Sequence, residues 1–187
     1  MENSPLLTLK NEYSNCQRCP ELVNYRTQVV FGSKHMNHAK IMIIGEAPGA
    51  KEDELGEPFV GKSGQLLTMF LKEINLTRDD VFITNTILCR PPNNRNPAAN
   101  ELNNCRSRLD LTIKIIKPKV IITLGNFATK YILNTKEGIT TLQGKVVKKD
   151  NLTIVPMSHP ATLLYSGMNP DKMNQFREYF KTVKDLL

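Results

Sequence analysis

Tryptophan is absent from this chain of 187 residues, and aromatic residues make up only 6% of it. That scarcity argues against a surface built from rows of stacking rings. No apolar run approaches the roughly 20 residues needed to cross a bilayer. The opening stretch, MENSPLLTLKNEYSNC, also lacks the basic segment followed by an apolar one that marks an export signal. Internal repeats, heptads and low-complexity linkers are missing too. The expectation is one domain over residues 1–187, soluble, intracellular and free of membrane. Histidine occurs three times, and His35 and His38 fall in no motif, so they read as ordinary surface or core residues.

What the chain has in excess is positive charge, +7 with a pI near 9.3. A surplus of Lys and Arg suits a polyanionic partner, although charge alone identifies none. The four cysteines are more informative. Cys16 and Cys19 form a C-x2-C pair, and Cys89 and Cys105 flank a loop rich in Pro, Asn and Arg. A C-x2-C pair puts two thiolates on one turn, and two distant ligands would complete a soft-metal tetrahedron that ties the N-terminal segment to the middle of the chain. Zinc and an iron-sulfur cluster both suit four thiolates; the wide spacing of the second pair, looser than a zinc knuckle, leans toward the cluster. Two disulfides would require an oxidising compartment, of which the sequence gives no sign.

Four short, β-branched apolar runs read as buried strands: residues 40–45 (KIMIIG), 81–85 (VFITN), 119–125 (KVIITLG) and 152–157 (LTIVPM). Between them, residues 63–74, 98–116 and 126–133 carry apolar side chains at helical spacing, and residues 170–187 read as a closing amphipathic helix. Alternation of this kind predicts an α/β fold, a three-layer α/β/α sandwich around a mainly parallel, four-stranded sheet. In such sheets the working loops leave the carboxyl ends of the strands. Here those loops are GEAPGAKED, NTILCRPPNNRNP, GNFATK and MSHPATLLYSG.

One motif misleads. Residues 56–63, GEPFVGKS, satisfy the expression for a phosphate-binding Walker A loop. Such a loop must leave a strand and open a helix, whereas the preceding AKEDEL is too polar for a buried strand. Glu57 adds negative charge where phosphates would sit, Pro58 removes an N–H donor, and no strand ends in an Asp suited to magnesium.

The run GEAPGAKEDELGEPFVGKSG, then TNTILCRPPNNRNP, then MSHPA, together with the four cysteines, resembles the iron-sulfur family (family 4) of uracil-DNA glycosylases. The resemblance covers residues 16–165 and preserves the order and spacing of several motifs. It implies a uracil-DNA glycosylase-like fold and a structural [4Fe-4S] cluster on Cys16, Cys19, Cys89 and Cys105. It also implies a monofunctional DNA glycosylase of base excision repair that acts on uracil-containing DNA as a monomer. The compartment implied is a bacterial or archaeal cytoplasm, with nucleoid association through DNA. A non-catalytic, four-cysteine metal-containing nucleic-acid-binding module is the alternative.

Excision of uracil requires the nucleotide out of the stack, the base held by its edges, and charge stabilised on the departing ring. Asn85 at a strand end offers one acceptor and one donor, a match to uracil N3–H and O4 and a mismatch to cytosine. The resemblance gives Asn85 that task, and assigns Phe59 to stacking on the flipped base. His159, in SHP, is placed to donate to uracil O2. Gly45, Glu46 and Ala47 would approach base and sugar, with Glu46 serving water, the cationic sugar or only the turn. Glu52 matches a position lying against uracil C5. Leu163 or Leu164 would wedge into the gap left by the base, and Arg90 and Arg95 are candidates for phosphate contact.

Overall fold

The computed structural model describes residues 4–33 and 39–187; His35 and His38 lie outside the described residues. In chain order the elements are helices α1 (Pro5–Tyr13) and α2 (Pro20–Tyr25), strand β1 (Ile41–Gly45), helices α3 (Ala50–Leu55) and α4 (Lys62–Glu73), and strand β2 (Val81–Asn85). Helix α5 (Ala99–Ile116), strand β3 (Val120–Leu124), and helices α6 (Asn126–Leu133) and α7 (Ile139–Leu142) follow. Strands β4 (Val147–Lys149) and β5 (Leu152–Met157) and helices α8 (Ala161–Tyr165) and α9 (Pro170–Asp185) complete the fold.

Among the described residues the sheet has five strands in the order β2-β1-β3-β5-β4, parallel except for β4, which runs antiparallel to β5. The sequence leads one to expect four. The fifth, the sequence VKK, is too short and too charged to signal itself, and its lysines suit an exposed edge that must not recruit another strand.

Side chains of the parallel strands alternate between two cores, as the two-residue period of a strand requires. Ile41, Ile43, Val81, Ile83, Val120, Ile122 and Val155 pack under α4 and α9, where Phe70, Phe176 and Phe180 stack. Met42, Ile44, Phe82, Ile121 and Ile154 face α1, α5 and α6. Cys89 and Cys105 belong to this second core, with Cys16 and Cys19 packed against its edge. Strand order reverses between β1 and β3, and the crevice at such a switch point lies outside the carboxyl ends of the strands. Gly45 stands in register with Asn85, and Leu124 with Met157, so the four strand ends share one rim.

Candidate active site and cysteine cage

A pocket of about 290 Å³ opens on that rim, walled by Ala47, Glu52, Phe59, Asn85 and His159, with Lys62, Asn94 and Tyr165 toward its mouth. The sequence-predicted Asn85, Phe59, His159, Glu52 and Ala47 therefore meet in one cavity. Gly45 does not line it but packs directly against Asn85 and Phe59. A side chain there would overlap Asn85 Oδ1 and come within 2.6 Å of the Phe59 ring. The expected result for Gly45→Ala is a loss of about 1–3 kcal/mol in stability, the usual cost of overpacking, and a larger proportional loss of pocket function. Denaturant melts beside an activity assay would check both.

Phe59 sits at φ 54, in the left-handed region that a bulky residue rarely occupies. Two charged groups hold it there. Glu52 accepts the N–H groups of Val60 (2.9 Å) and Gly61 (2.8 Å) on one oxygen and that of Gly49 (3.1 Å) on the other. Arg78 donates to the carbonyls of Phe59 (2.9 Å) and Pro58 (2.6 Å). Gly64 on α4 admits the Phe59 backbone against it, where a Cβ would collide. Glu52 thus lines the pocket but spends both oxygens on backbone, so its evident task is to shape the loop. The same bonds dispose of the Walker resemblance, since the N–H groups of Val60 and Gly61 are already taken by an internal carboxylate, and the motif follows α3, not a strand.

The Phe59 and His159 rings stack with centroids 5.6 Å apart and planes 28° from parallel. Burial pushes the imidazole down to about 4, against a smaller opposing pull from the Glu52 carboxylate, so the ring is neutral near pH 7. Nδ1 accepts the Ala161 N–H at 3.2 Å. The remaining proton therefore lies on Nε2, which leaves that atom as a neutral donor.

Asn85 is 1% exposed, and its Oδ1 has no hydrogen-bond partner. A buried acceptor left unpaired is costly and rare. Its backbone carbonyl, by contrast, is held by Arg108 at 2.8 Å. Burial raises the pKa of Glu46 above the ordinary carboxyl value. A Cβ placed on Gly125 would lie 3.9 Å from Glu46 Oε2 and 3.7 Å from His159 Cβ, so the acid and the imidazole flank the same glycine turn.

The DNA-facing expectations need correction. Leu163 is fully buried in the core under α4 and α9, and Leu164 packs partly against it, because the short helix α8 turns this segment inward. The side chain that does stand out is Tyr165, 89% exposed at the pocket mouth. Arg95 is committed internally, to both oxygens of Glu101 (3.0 and 2.7 Å) and to Glu21 (3.1 Å), a junction of α2 and α5. Arg90 stacks over the Tyr25 ring at 5.3 Å and donates to Asn94 at 2.8 Å, on the loop edge beside the pocket.

None of the four cysteines is in a disulfide. Among the described residues, no group of three or more His, Cys, Asp or Glu side chains stands in metal-holding geometry. The thiols nevertheless share one neighbourhood: Cys19 feels the charges of Cys105 and Cys16, and so does Cys89. Burial pushes the Cys89 thiol up to about 11, opposed by Arg26. Arg26 Nη1 donates to Cys89 Sγ at 2.9 Å, and Asn104 Nδ2 to Cys19 Sγ at 3.3 Å. Four thiols, two of them buried, with N–H donors aimed at two sulfurs, form a donor set that fits a thiolate-bound metal group. Asp53 fastens this segment to α3 by accepting the N–H groups of Thr27 (3.0 and 2.9 Å) and Gln28 (3.4 Å).

Sequence reasoning missed Arg78, Arg108 and Tyr165. For Arg108 a signal existed, since it falls on the same face of α5 as Cys105, Leu109, Thr112 and Ile116.

Residues 33–184 match the model of the uracil DNA glycosylase superfamily. A type-4 uracil-DNA glycosylase of Sulfurisphaera tokodaii is 43% identical over 95% of this chain and 83% of its own length. One from Saccharolobus solfataricus is 41% identical over 100% and 88%, and one from the bacterium Thermotoga maritima is 40% identical over 82% and 80%. With this pocket, at this place in the sheet, and relatives of this similarity over most of both chains, the chain belongs to the uracil-DNA glycosylase superfamily and, within it, to the type-4 uracil-DNA glycosylases.

Proposed function

We propose that the protein removes uracil from DNA by hydrolysing its N-glycosidic bond and leaves an abasic site for base excision repair. The observation that carries this reading is the unpartnered, buried Oδ1 of Asn85 in a pocket walled by a phenyl ring. An acceptor beside an amide donor takes N3–H and O4 of uracil, and cytosine presents the reverse pattern. Phe59 offers a flat face for the base.

As the bond from C1′ to N1 breaks, its electron pair moves into the uracil ring and charge develops on O2. His159 Nε2–H is the donor proposed for that oxygen, a neutral one that need not itself lose a proton. Glu46, desolvated beside the Gly125 turn, is assigned to the cationic sugar, with water adding at C1′ and the proton it loses ending on the departing uracil anion. Glu52 and Arg78 hold the Phe59 loop in place.

Cys16, Cys19, Cys89 and Cys105 are proposed to hold a [4Fe-4S] cluster. When bound, that group would tie the turn between α1 and α2, the loop after β2 and helix α5 covalently together, and it is assigned no part in bond cleavage. Lys62 and Arg90, near the pocket mouth, are proposed phosphate contacts in place of Arg95. The protein is proposed to work as a monomer on cytoplasmic, nucleoid DNA.

Tyr165 replaces the leucines as the group that fills the gap left by the flipped nucleotide. Tyr165→Ala is expected to slow excision from double-stranded DNA about tenfold, in keeping with roughly 1–3 kcal/mol for a base-aromatic stack. Excision from single strands should change little, because no stack has to be opened there. Parallel single-turnover assays on the two substrates make the comparison.

The function itself is tested with a labelled oligonucleotide carrying one uracil, beside thymine and cytosine controls, followed by alkaline cleavage of abasic sites. Strand breaks dependent on uracil are expected. Binding without breaks, from folded and iron-loaded protein, would replace this reading with that of a non-catalytic, metal-containing nucleic-acid-binding module.

A further inference from the structure

Arg108 is wholly buried on α5. Its guanidinium donates through Nη2 to the carbonyls of Asn85 (2.8 Å) and Thr86 (3.0 Å) and through Nη1 to Thr84 Oγ1 (3.3 Å), while Nε has no partner. All three acceptors are uncharged. An arginine taken fully out of water needs an opposing charge nearby, because neutral oxygens do not offset its desolvation. None of the hydrogen bonds that hold this guanidinium comes from a carboxylate, and the Cys105 thiol stands one turn earlier on the same buried face of α5.

Two halves of the molecule meet at this side chain. On one side lies a cage of four thiols, which carries net negative charge once its sulfurs are thiolates around a cluster. On the other side lies the last residue of β2, whose amide reads the base.

We propose that Arg108 is a positioning residue that couples the cysteine cage to uracil recognition. The charge of the loaded cage offsets the buried guanidinium, and the guanidinium clamps the Asn85 and Thr86 carbonyls so that the Asn85 amide faces the pocket. This inference rests on the reading of the cage and of Asn85 given above. It places the contribution of the cluster in the geometry of base recognition, through a chain only two contacts long. Arg26 serves a different end of the cage, at Cys89 and the Cys16 carbonyl, and touches no pocket residue among its hydrogen bonds.

The test uses the full-length, cluster-loaded protein and two variants. Arg108→Met removes charge and clamp together; Arg108→Lys keeps the charge but cannot reproduce the forked donation to two carbonyls. Three quantities are read: the rate of iron release to a chelator, kcat on a uracil oligonucleotide, and affinity for DNA without uracil. For Arg108→Met, iron release should accelerate and kcat should fall, each by roughly tenfold to hundredfold, the usual cost of losing a group that supports a metal site. For Arg108→Lys, iron release should stay near that of the parent while kcat falls, with affinity for plain DNA unchanged in both variants.

A folded Arg108→Met variant with parental iron release and parental kcat would overturn the proposal. So would an Arg108→Lys variant whose affinity for plain DNA falls as much as its kcat, since that marks general disruption. If the methionine variant does not fold, the lysine variant alone decides the clamp. A parent protein that cleaves no uracil would sink the functional reading, while the iron-release comparison would still decide the link between arginine and cage.

Discussion

Replacement of Asn85 by alanine is expected to cut uracil excision about hundredfold, the effect of losing a bidentate base contact worth roughly 1–3 kcal/mol, and to leave affinity for ordinary DNA intact. The folded protein should not suffer in proportion. The amide oxygen accepts no hydrogen bond from the protein, so its removal leaves no buried donor stranded. An excision defect with an unchanged or raised melting temperature would identify Asn85 as a group retained for its ligand. If stability and activity fell together, Asn85 would be a strand-end structural residue. The contrast is sharpened by Arg108, which grips the same residue by its backbone: in Arg108→Met, loss of activity and loss of metal retention should travel together.

The second large effect belongs to His159. With alanine there, kcat should drop about hundredfold to thousandfold, as when one donor to a developing oxyanion is removed, and KM should change little. Glutamine, a neutral donor, should recover part of the loss. The acid-base behaviour follows from the lowered pKa. A free imidazole titrates near 6.5, and His159 only near 4. Excision should therefore run flat through pH 6.5 and decline toward 4. Stability follows the same window. Below 6.5 the unfolded chain takes up a proton that the folded protein refuses until about 4, so the contribution of this side chain is complete above 6.5 and is lost as the pH falls toward 4. A pH-rate profile with an inflection near 6.5 would contradict the neutral-donor role. Burial also raises the pKa of Glu46. An acid limb that survives in the glutamine variant belongs to it.

The elements with long, clean periodicity were legible. Helices α4, α5, α6 and α9 fall within two residues of their expected bounds, and the four parallel strands lie where the β-branched runs stand. Elements governed by tertiary context were not. Helix α2 is six residues long and begins at Pro20 directly after a cysteine; α3 is polar AKEDEL; β4 is three residues. None buries enough surface of its own to leave a pattern.

Asn85, Ala47 and His159 were legible because they sit at or just past strand ends, where one-dimensional motifs become one place in space, and Phe59 reaches them from the motif-bearing loop between α3 and α4. Asn85, Phe59, His159 and Ala47 converge as expected. The errors arose where a side chain's direction depends on a partner far away in sequence. Arg95 looks solvated until Glu21 and Glu101 are brought to it, and Leu163 looks free until α8 turns it under α4. Arg78 and Arg108 passed unnoticed for the complementary reason: charged residues on helices and turns are usually solvated, and only the folded chain reveals which ones have carbonyls to hold.

The pocket's polar inventory has a further consequence. Asn85, Phe59 and His159 line the cavity and are all proposed to address the base, while the sugar has only Glu46 assigned to it. Contacts of that kind outlast the bond that is cut. Severed from its deoxyribose, uracil keeps its N3–H, its O4 and its flat face, so the liberated base is itself a ligand and competes with the next nucleotide for the cavity. On these assignments, turnover is expected to depend on how readily the spent base departs as well as on how fast it is released from the sugar. A chain that keeps a buried amide oxygen free of protein partners for its substrate is expected, by the same token, to be inhibited by its own product.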